Sequence, residues 1–242
     1  MAWYKADLHL HSVLSPCATL EMSPANIVSE AVKQGLQIIG LTDHNSTRNA
    51  LLCRDIAAKQ GMFCLCGAEI NTKEEVHCLL FAETAEQLSQ IEEFLDSRLP
   101  AVQNHPDIFG YQLVLDENEN IIDQPEKLLI NAVDATLDEI SSLCQRINGI
   151  LILAHIDKSK NSVLSQLGFI PPDLNYTALE VSRNSSPEKI IAKHSSLADK
   201  TFVTSSDAHQ PNLIGSSTFM IDCDILSFQS VREALINNRV KL

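Results

Sequence analysis

Apolar positions along the chain fall into two alternating rhythms, short runs of strand length and longer stretches with helical spacing. Lys5-Ala6-Asp7-Leu8-His9-Leu10-His11-Ser12 alternates with a period of two, so Asp7, His9 and His11 share one side of an extended strand. Ser23-Pro24 then starts a helix, with a cap residue ahead of proline at the first helical position. Ile27, Val28, Ala31 and Val32 carry its apolar face to a stop at Gly35. Leu36 to Leu41 reads as a buried strand ending on Thr42-Asp43-His44-Asn45. A helix from Arg48 to Gln60 and a strand from Met62 to Ala68 deliver Glu69, and a fourth strand, Glu75 to Phe81, contains His77. Thr84 caps a helix running to about Leu99, with Glu86 and Gln87 in its first turn.

From Pro100 to about Ala132 the rhythm breaks. The hairpin-like Tyr111 to Leu115 and Asn120 to Ile122 flank the acidic turn Asp116-Glu117-Asn118-Glu119, which predicts a folded insertion at about 100–132 that serves as a lid. Asp134 to Asn148 then reads as a helix stopped at Gly149, and Ile150 to Ala154 as a buried strand ending on His155. Ala178 to Val181 is a strand followed by Ser182-Arg183-Asn184, and Thr201 to Thr204 ends in Ser205-Ser206-Asp207-Ala208-His209. A last strand, Ser217 to Ile221, and a helix, Ser227 to Asn238, close the pattern. Strands alternating with helices predict parallel strands and right-handed crossovers, and about eight of them in one chain predict a barrel rather than an open sheet. No Gly-rich dinucleotide fingerprint or phosphate loop follows any strand.

Two imidazoles and a carboxylate on one strand end are poor core filling and good ligands for Zn, Mn or Fe, although strand histidines also satisfy local hydrogen bonds. Position decides between these readings. His9, His11, His44, Glu69, His155, Asp207 and His209 all fall at or just past strand carboxyl ends, with His77 inside a strand. That end is the face on which barrel active sites sit, and the coincidence predicts a metal site.

Composition narrows the picture. At 242 residues, 45% apolar and 20% charged, the chain fits a single domain over 1–242. No uncharged apolar window approaches the roughly eighteen residues of a membrane span, so no membrane partner is expected. Met1-Ala2-Trp3-Tyr4-Lys5 runs directly into the Asp-His strand without the features of an export signal, which predicts a cytoplasmic protein. Cys17, Cys53, Cys64, Cys66, Cys78, Cys144 and Cys223 are odd in number and lack framework spacing, so they read as thiols, mostly buried. A net charge of −13 disfavours non-specific attraction to long nucleic acid while leaving small phosphorylated substrates or nucleotides open.

In Asp7-Leu8-His9-Leu10-His11, Thr42-Asp43-His44, Gly67-Ala68-Glu69, His77, Ala154-His155 and Ser206-Asp207-Ala208-His209 the sequence resembles the PHP (polymerase and histidinol phosphatase) family, from about residue 4 to 215. The resemblance implies an α/β fold, a distorted (β/α)7 TIM-like barrel with a cluster of two or three divalent ions, Mn, Zn or Fe, at the carboxyl end of its strands. It implies a first ion held by His9, His11, Glu69 and Asp207, a second by bridging Glu69 with His77 and His155, and a third by His44 and His209. The family usually adds an Asp or His a few residues beyond HxH, where this chain has Leu14-Ser15-Pro16-Cys17-Ala18-Thr19-Leu20-Glu21. Cys17 or Glu21 are the candidates to replace it; the alternatives are a weak or empty third site and a Cys17 buried in a turn.

The implied activity is that of a stand-alone metal-dependent phosphoesterase, in which a metal-activated hydroxide attacks the phosphorus of a small phosphorylated metabolite or a nucleotide or oligonucleotide phosphoester. Asp43 and Asp7 read as orienters of neighbouring ligands, Asp43 alternatively as a proton acceptor or a ligand, and either His209 or a metal-bound water as the proton donor to the leaving oxygen. Arg183 and Lys158 lie where phosphate-holding cations are useful, and are equally readable as solvated loop charges. The alternatives are a catalytically silent metal-binding module that supports a partner, and a hydrolase of non-phosphate bonds built on the same barrel.

Overall fold

The computed structural model describes residues 2–242. Its first half runs β1 (Ala2–Leu10), α1 (Pro24–Lys33), β2 (Ile38–His44), α2 (Ala50–Lys59), β3 (Phe63–Asn71), β4 (His77–Ala82), α3 (Ala85–Arg98), α4 (Pro106–Phe109), β5 (Val114–Leu115) and β6 (Ile121–Asp123). The second half runs α5 (Leu137–Arg146), β7 (Ile150–Leu153), α6 (Val163–Gln166), β8 (Ala178–Val181), α7 (Pro187–Ile191), β9 (Phe202–Thr204), β10 (Phe219–Cys223), α8 (Phe228–Ile236) and β11 (Val240–Lys241). No helix among the described residues is long and apolar enough to cross a membrane.

Helix starts follow local capping chemistry. The Ser23 side chain accepts from the Asn26 amide ahead of Pro24, and Thr84 forms a reciprocal capping box with Gln87. The α5 helix begins later than the expected Asp134, because Thr136 closes a capping box with Glu139. Asp134 instead pairs with Lys73 outside the helix.

Nine strands form one sheet in the order β11-β10-β1-β2-β3-β4-β7-β8-β9. One apolar cluster takes Phe219, Leu8, Ile38, Leu65, Leu79, Ile152, Ala178 and Val203 from every strand between β10 and β9, together with Phe228 and Val231 of α8. Only a sheet curled round on itself brings those side chains together. The carboxyl end closes through Leu10, which bridges Ala208 in parallel beyond β9, with the His11 amide donating to the Ala208 carbonyl. A second cluster packs helices α1, α2, α3 and α5 on the outside through Ile27, Cys53, Ile91 and Ile140.

Strand direction departs from the all-parallel expectation. β1–β2, β2–β3, β7–β8 and β8–β9 are parallel, but β4 is antiparallel to both its neighbours and β10 is antiparallel to β1. The reason is chain length. Only Thr72 to Val76 separates β3 from β4, whereas a parallel return needs about a dozen residues, so a hairpin is forced. His77 therefore begins its strand opposite Asn71, at the same rim as the carboxyl end of β3.

The 100–132 excursion holds α4 and the separate β5–β6 hairpin. It buries Leu113, Val114 and Leu115 against the barrel, and Asn49 ties it down by donating to the Leu113 carbonyl while accepting from the Leu115 amide. Gly110 sits so close to the loop after β1 that a Cβ there would lie 1.9 Å from the Pro16 carbonyl oxygen.

Candidate metal centre

Glu69, at 1% exposure, is the hub of the rim. Its Oε1 lies 2.8 Å from His77 Nδ1, 3.1 Å from His155 Nε2 and 3.3 Å from His9 Nε2. Its Oε2 lies 3.0 Å from His44 Nδ1 and 3.4 Å from His11 Nε2. Asp207 Oδ1 adds contacts of 3.4 Å to His9 Nε2 and 3.3 Å to His11 Nε2. Five strand ends and the loop beyond β9 thus deliver six imidazoles, His209 among them, and two carboxylates to one place.

Several of these nitrogens face oxygens without hydrogen-bonding them. His9 Nε2, His11 Nε2 and His44 Nδ1 are buried and have no hydrogen-bond partner, as does His155 Nδ1. Each such atom costs about 1–3 kcal/mol when left unpaired, so a group of converging lone pairs is explained by cations that they would coordinate. Three sets of ligand atoms lie within 4.8 Å of one another: His9, His11 and Glu69; His44, Glu69 and His77; and His11, His44 and His209. The donor set of imidazole and carboxylate fits Zn, Mn or Fe.

Electrostatics agree with the geometry. Burial favours neutral Glu69 and Asp207, but the surrounding imidazoles outweigh it and hold both carboxyls well below their ordinary range. Burial opposes a charged His44, yet Glu69 and Cys17 beside it push its ring up to about 10. His155 and Asp207 both adopt left-handed backbone, with φ of 31° and 52°. Such strain costs about 1–3 kcal/mol per residue and collects where surrounding structure enforces a functional geometry.

The neighbouring polar groups orient the rings. Glu180, 1% exposed on β8, places Oε1 and Oε2 at 3.1 and 3.2 Å from His9 Nδ1 and also accepts from the His155 amide. A proton held on Nδ1 leaves the His9 Nε2 lone pair free for a cation. Ser15 Oγ serves His11 Nδ1 in the same way at 3.0 Å, and donates onward to Asp43 Oδ1 at 2.7 Å. Sequence reading did not single out Glu180. Its signal was a lone carboxylate in the apolar strand Ala178-Leu179-Glu180-Val181.

Asp43 and Asp7 are placed differently from the candidate ligands. Asp43 accepts from the Ser12 amide, the Ser12 hydroxyl and the Ser15 hydroxyl, so its oxygens shape the loop after β1 rather than face the cluster. The register of β1 slips between Asp7 and Leu10, which breaks the alternation expected to group Asp7 with His9. The Asp7 carboxylate accepts instead from the Ser206 and Gly215 amides, pinning the segment that carries Asp207 and His209.

Lys158 pairs with Asp207 Oδ2, and with Arg183, His155, Ser182 and Ser206 it lines a cavity of about 180 Å³ beside the centre. Cys17 touches the rings of His209 and His44; burial raises its thiol pKa, but those contacts prevail and bring it down to about 6. Glu21 is exposed and its carboxylate meets Thr19, away from the cluster. His105 and His194 also lie outside it.

The PHP domain model matches residues 7–159, and a PHP-associated model matches residues 192–240. An uncharacterised protein of Methanocaldococcus jannaschii is 32% identical over 80 residues, covering 29% of this chain and 46% of that protein. Among solved structures, a lesion-specific endonuclease of Pyrococcus furiosus superposes with a TM-score of 0.72 at 19% identity, over 98% of this chain and 56% of that one. This chain therefore spans little more than half of that endonuclease. A putative metal-dependent phosphoesterase of Bifidobacterium adolescentis superposes with a TM-score of 0.64 at 18% identity, over 95% of each chain. With the matched region carrying Asp7-Leu8-His9-Leu10-His11, Glu69, His77 and His155, the chain belongs to the PHP domain family.

Proposed function

We propose that the chain is a metal-dependent phosphoesterase acting on a small phosphorylated metabolite or a nucleotide. The observation that carries this reading is the buried Glu69 carboxylate ringed by five imidazoles, three of which offer unpartnered lone pairs at 3.0–3.4 Å. His9, His11, Glu69 and Asp207 would hold a first divalent ion, Glu69, His77 and His155 a second, and His44 with His209 a third. Divalent ions bound there would supply Lewis acidity, lowering the pKa of water and neutralising charge on the phosphoryl oxygens.

The chain's own residues do the rest. Glu180 and Ser15 fix the tautomers of His9 and His11, so each ring presents Nε2. Lys158 and Arg183 bring positive charge to the cavity of about 180 Å³, which suits a phosphate group with little more attached. His209 donates from Nδ1 to the Asp207 carbonyl at 3.0 Å, which leaves Nε2 to serve an ion or to pass a proton to the leaving oxygen. Asp43 acts through the Ser12 to Ser15 loop as a positioning residue.

The net charge of −13 and the size of the cavity favour small substrates over long duplexes. The test is a panel of phosphomonoesters, nucleoside bisphosphates, dinucleotides and short oligonucleotides, intact and with an abasic site, each with Mn²⁺, Zn²⁺ and Fe²⁺. Metal-dependent release of phosphate from small esters supports the proposal. Turnover confined to the oligonucleotides would move the substrate class to nucleic acid, and no hydrolysis with any ion would favour the silent module.

A further inference from the structure

We propose that Asn45 is a positioning residue for the metal centre, clamping the strand that carries Glu69 both to the end of β2 and to the exit of the 100–132 excursion. Asn45 is 2% exposed and directly follows β2, whose last residue is His44. His44 and Glu69 face each other as the final register pair of β2 and β3, where the parallel pairing of these strands ends. Asn45 continues the attachment beyond that point. Its backbone amide donates to the Glu69 carbonyl at 2.9 Å, and its Oδ1 accepts from the Asn71 amide at 3.1 Å. The residue therefore grips β3 on both sides of Ile70, once at Glu69 itself and once two residues further on.

The same side chain reaches the excursion. Its Nδ2 donates to the Leu129 carbonyl at 2.7 Å and to the Asn131 carbonyl at 2.8 Å. Asn71 Nδ2 donates to the intervening Ile130 carbonyl at 3.2 Å, so two asparagines hold three consecutive carbonyls. A carboxamide carries two N–H donors and an acceptor oxygen on one short stem, and here both donors and the oxygen are engaged. Aspartate lacks the donors and would set an oxygen against two carbonyls. Asn45 also holds a left-handed backbone, with φ of 46°, which asparagine tolerates better than most residues. Its bonds end on backbone atoms, not on the imidazoles or carboxylates, so it acts on the centre through the placement of His44 and Glu69. Misplacement by about 1 Å is enough to cost on the order of a hundredfold at a reacting site.

The inference rests on the metal-dependent reading, and the experiment separates the two. Gln112 supplies a matched control: another buried carboxamide, it donates to the Pro125 and Lys127 carbonyls and accepts from the Leu129 amide, all within the excursion. The metal-free full chain, as parent, Asn45→Gly and Gln112→Ala, is titrated with Co²⁺ while ligand-field absorption and affinity are read, and thermal unfolding is followed alongside. Glycine accepts the left-handed backbone and keeps the amide that meets Glu69, so only the side-chain clamp is lost. Both variants should unfold at a lower temperature than the parent. Asn45→Gly should alter the ligand-field spectrum and weaken Co²⁺ binding about 10- to 100-fold, whereas Gln112→Ala should keep the parent's spectrum and affinity. Asn45→Asp, which keeps the acceptor for Asn71 but loses both donors, should shift the spectrum in the same direction and is read in its place if the glycine variant does not fold. Parental spectra and affinities in the Asn45 variants, or an equal spectral change in Gln112→Ala, would overturn the positioning role alone. A parent chain that takes up no Co²⁺ would overturn the metal centre as well.

Discussion

Glu180 holds both carboxylate oxygens against Nδ1 of His9, at 3.1 and 3.2 Å, from a strand two places along the sheet from β4 and on the far side of the barrel from β2. A buried carboxylate in that position fixes which nitrogen of His9 faces the centre and raises its basicity as a ligand. Glu180→Ala should therefore weaken metal affinity by about 10- to 100-fold, the usual effect of losing such a partner. Competition with a chelator checks it, with circular dichroism confirming the fold.

Glu69→Gln removes the anion shared by five rings and leaves an amide that cannot bridge two cations. Turnover should fall below detection and at least part of the bound metal should be lost, while the barrel, whose core residues it does not touch, stays folded. Asp207→Asn should behave in the same direction. Metal analysis alongside thermal unfolding separates a lost ligand from a lost fold.

Lys158 and Arg183 border the cavity beside the centre but contribute no ligand atom. Arg183→Ala should raise KM for a phosphorylated substrate more than it lowers kcat, with kcat/KM falling about tenfold or more, the value of one hydrogen bond to a charged group. Metal content should be unchanged. Lys158→Ala should add an effect on Asp207, whose Oδ2 it pairs with.

Metal uptake should depend on pH with a definite sign. The His44 ring is raised from its ordinary 6.5 to about 10, so the metal-free protein carries this proton through neutral pH, and a cation must displace it. Affinity should therefore rise as pH rises from about 6.5 towards 10 and fall as it drops, with proton release visible as a buffer-dependent heat of binding. An affinity independent of pH over that range would contradict the assignment of His44 as a ligand.

Gly110 is the close contact between the excursion and the loop after β1, at a φ of 100°. Gly110→Ala would force its Cβ into the Pro16 carbonyl, so the loop must shift and Cys17 with it. We expect a loss of about 1–3 kcal/mol of stability, read in thermal or denaturant unfolding, and little change in metal content at the residues centred on Glu69.

Much of this site was legible because its candidate ligands sit in short runs at strand ends. Asp7-Leu8-His9-Leu10-His11 and Ser206-Asp207-Ala208-His209 announce themselves, and the structure brings His9, His11, His44, Glu69, His77, His155, Asp207 and His209 to one rim. The direction of β4 was misread although the five-residue span from Thr72 to Val76 already excluded a parallel return. Glu180 was hidden for a different reason: its partner lies 171 residues away, and no local period marks a carboxylate inside a buried strand. The bulge that sends Asp7 away from His9 is likewise a product of tertiary pairing, since the bare alternation places them together.

The most direct test of the account is the metal stoichiometry of the full chain after removal of metal and reconstitution with Zn²⁺ or Mn²⁺, compared with Glu69→Gln. The account predicts on the order of two or three tightly held divalent ions per parent chain and a marked loss in the variant. A parent chain that retains none, or a variant that retains as many as the parent, would contradict a metal centre organised on Glu69.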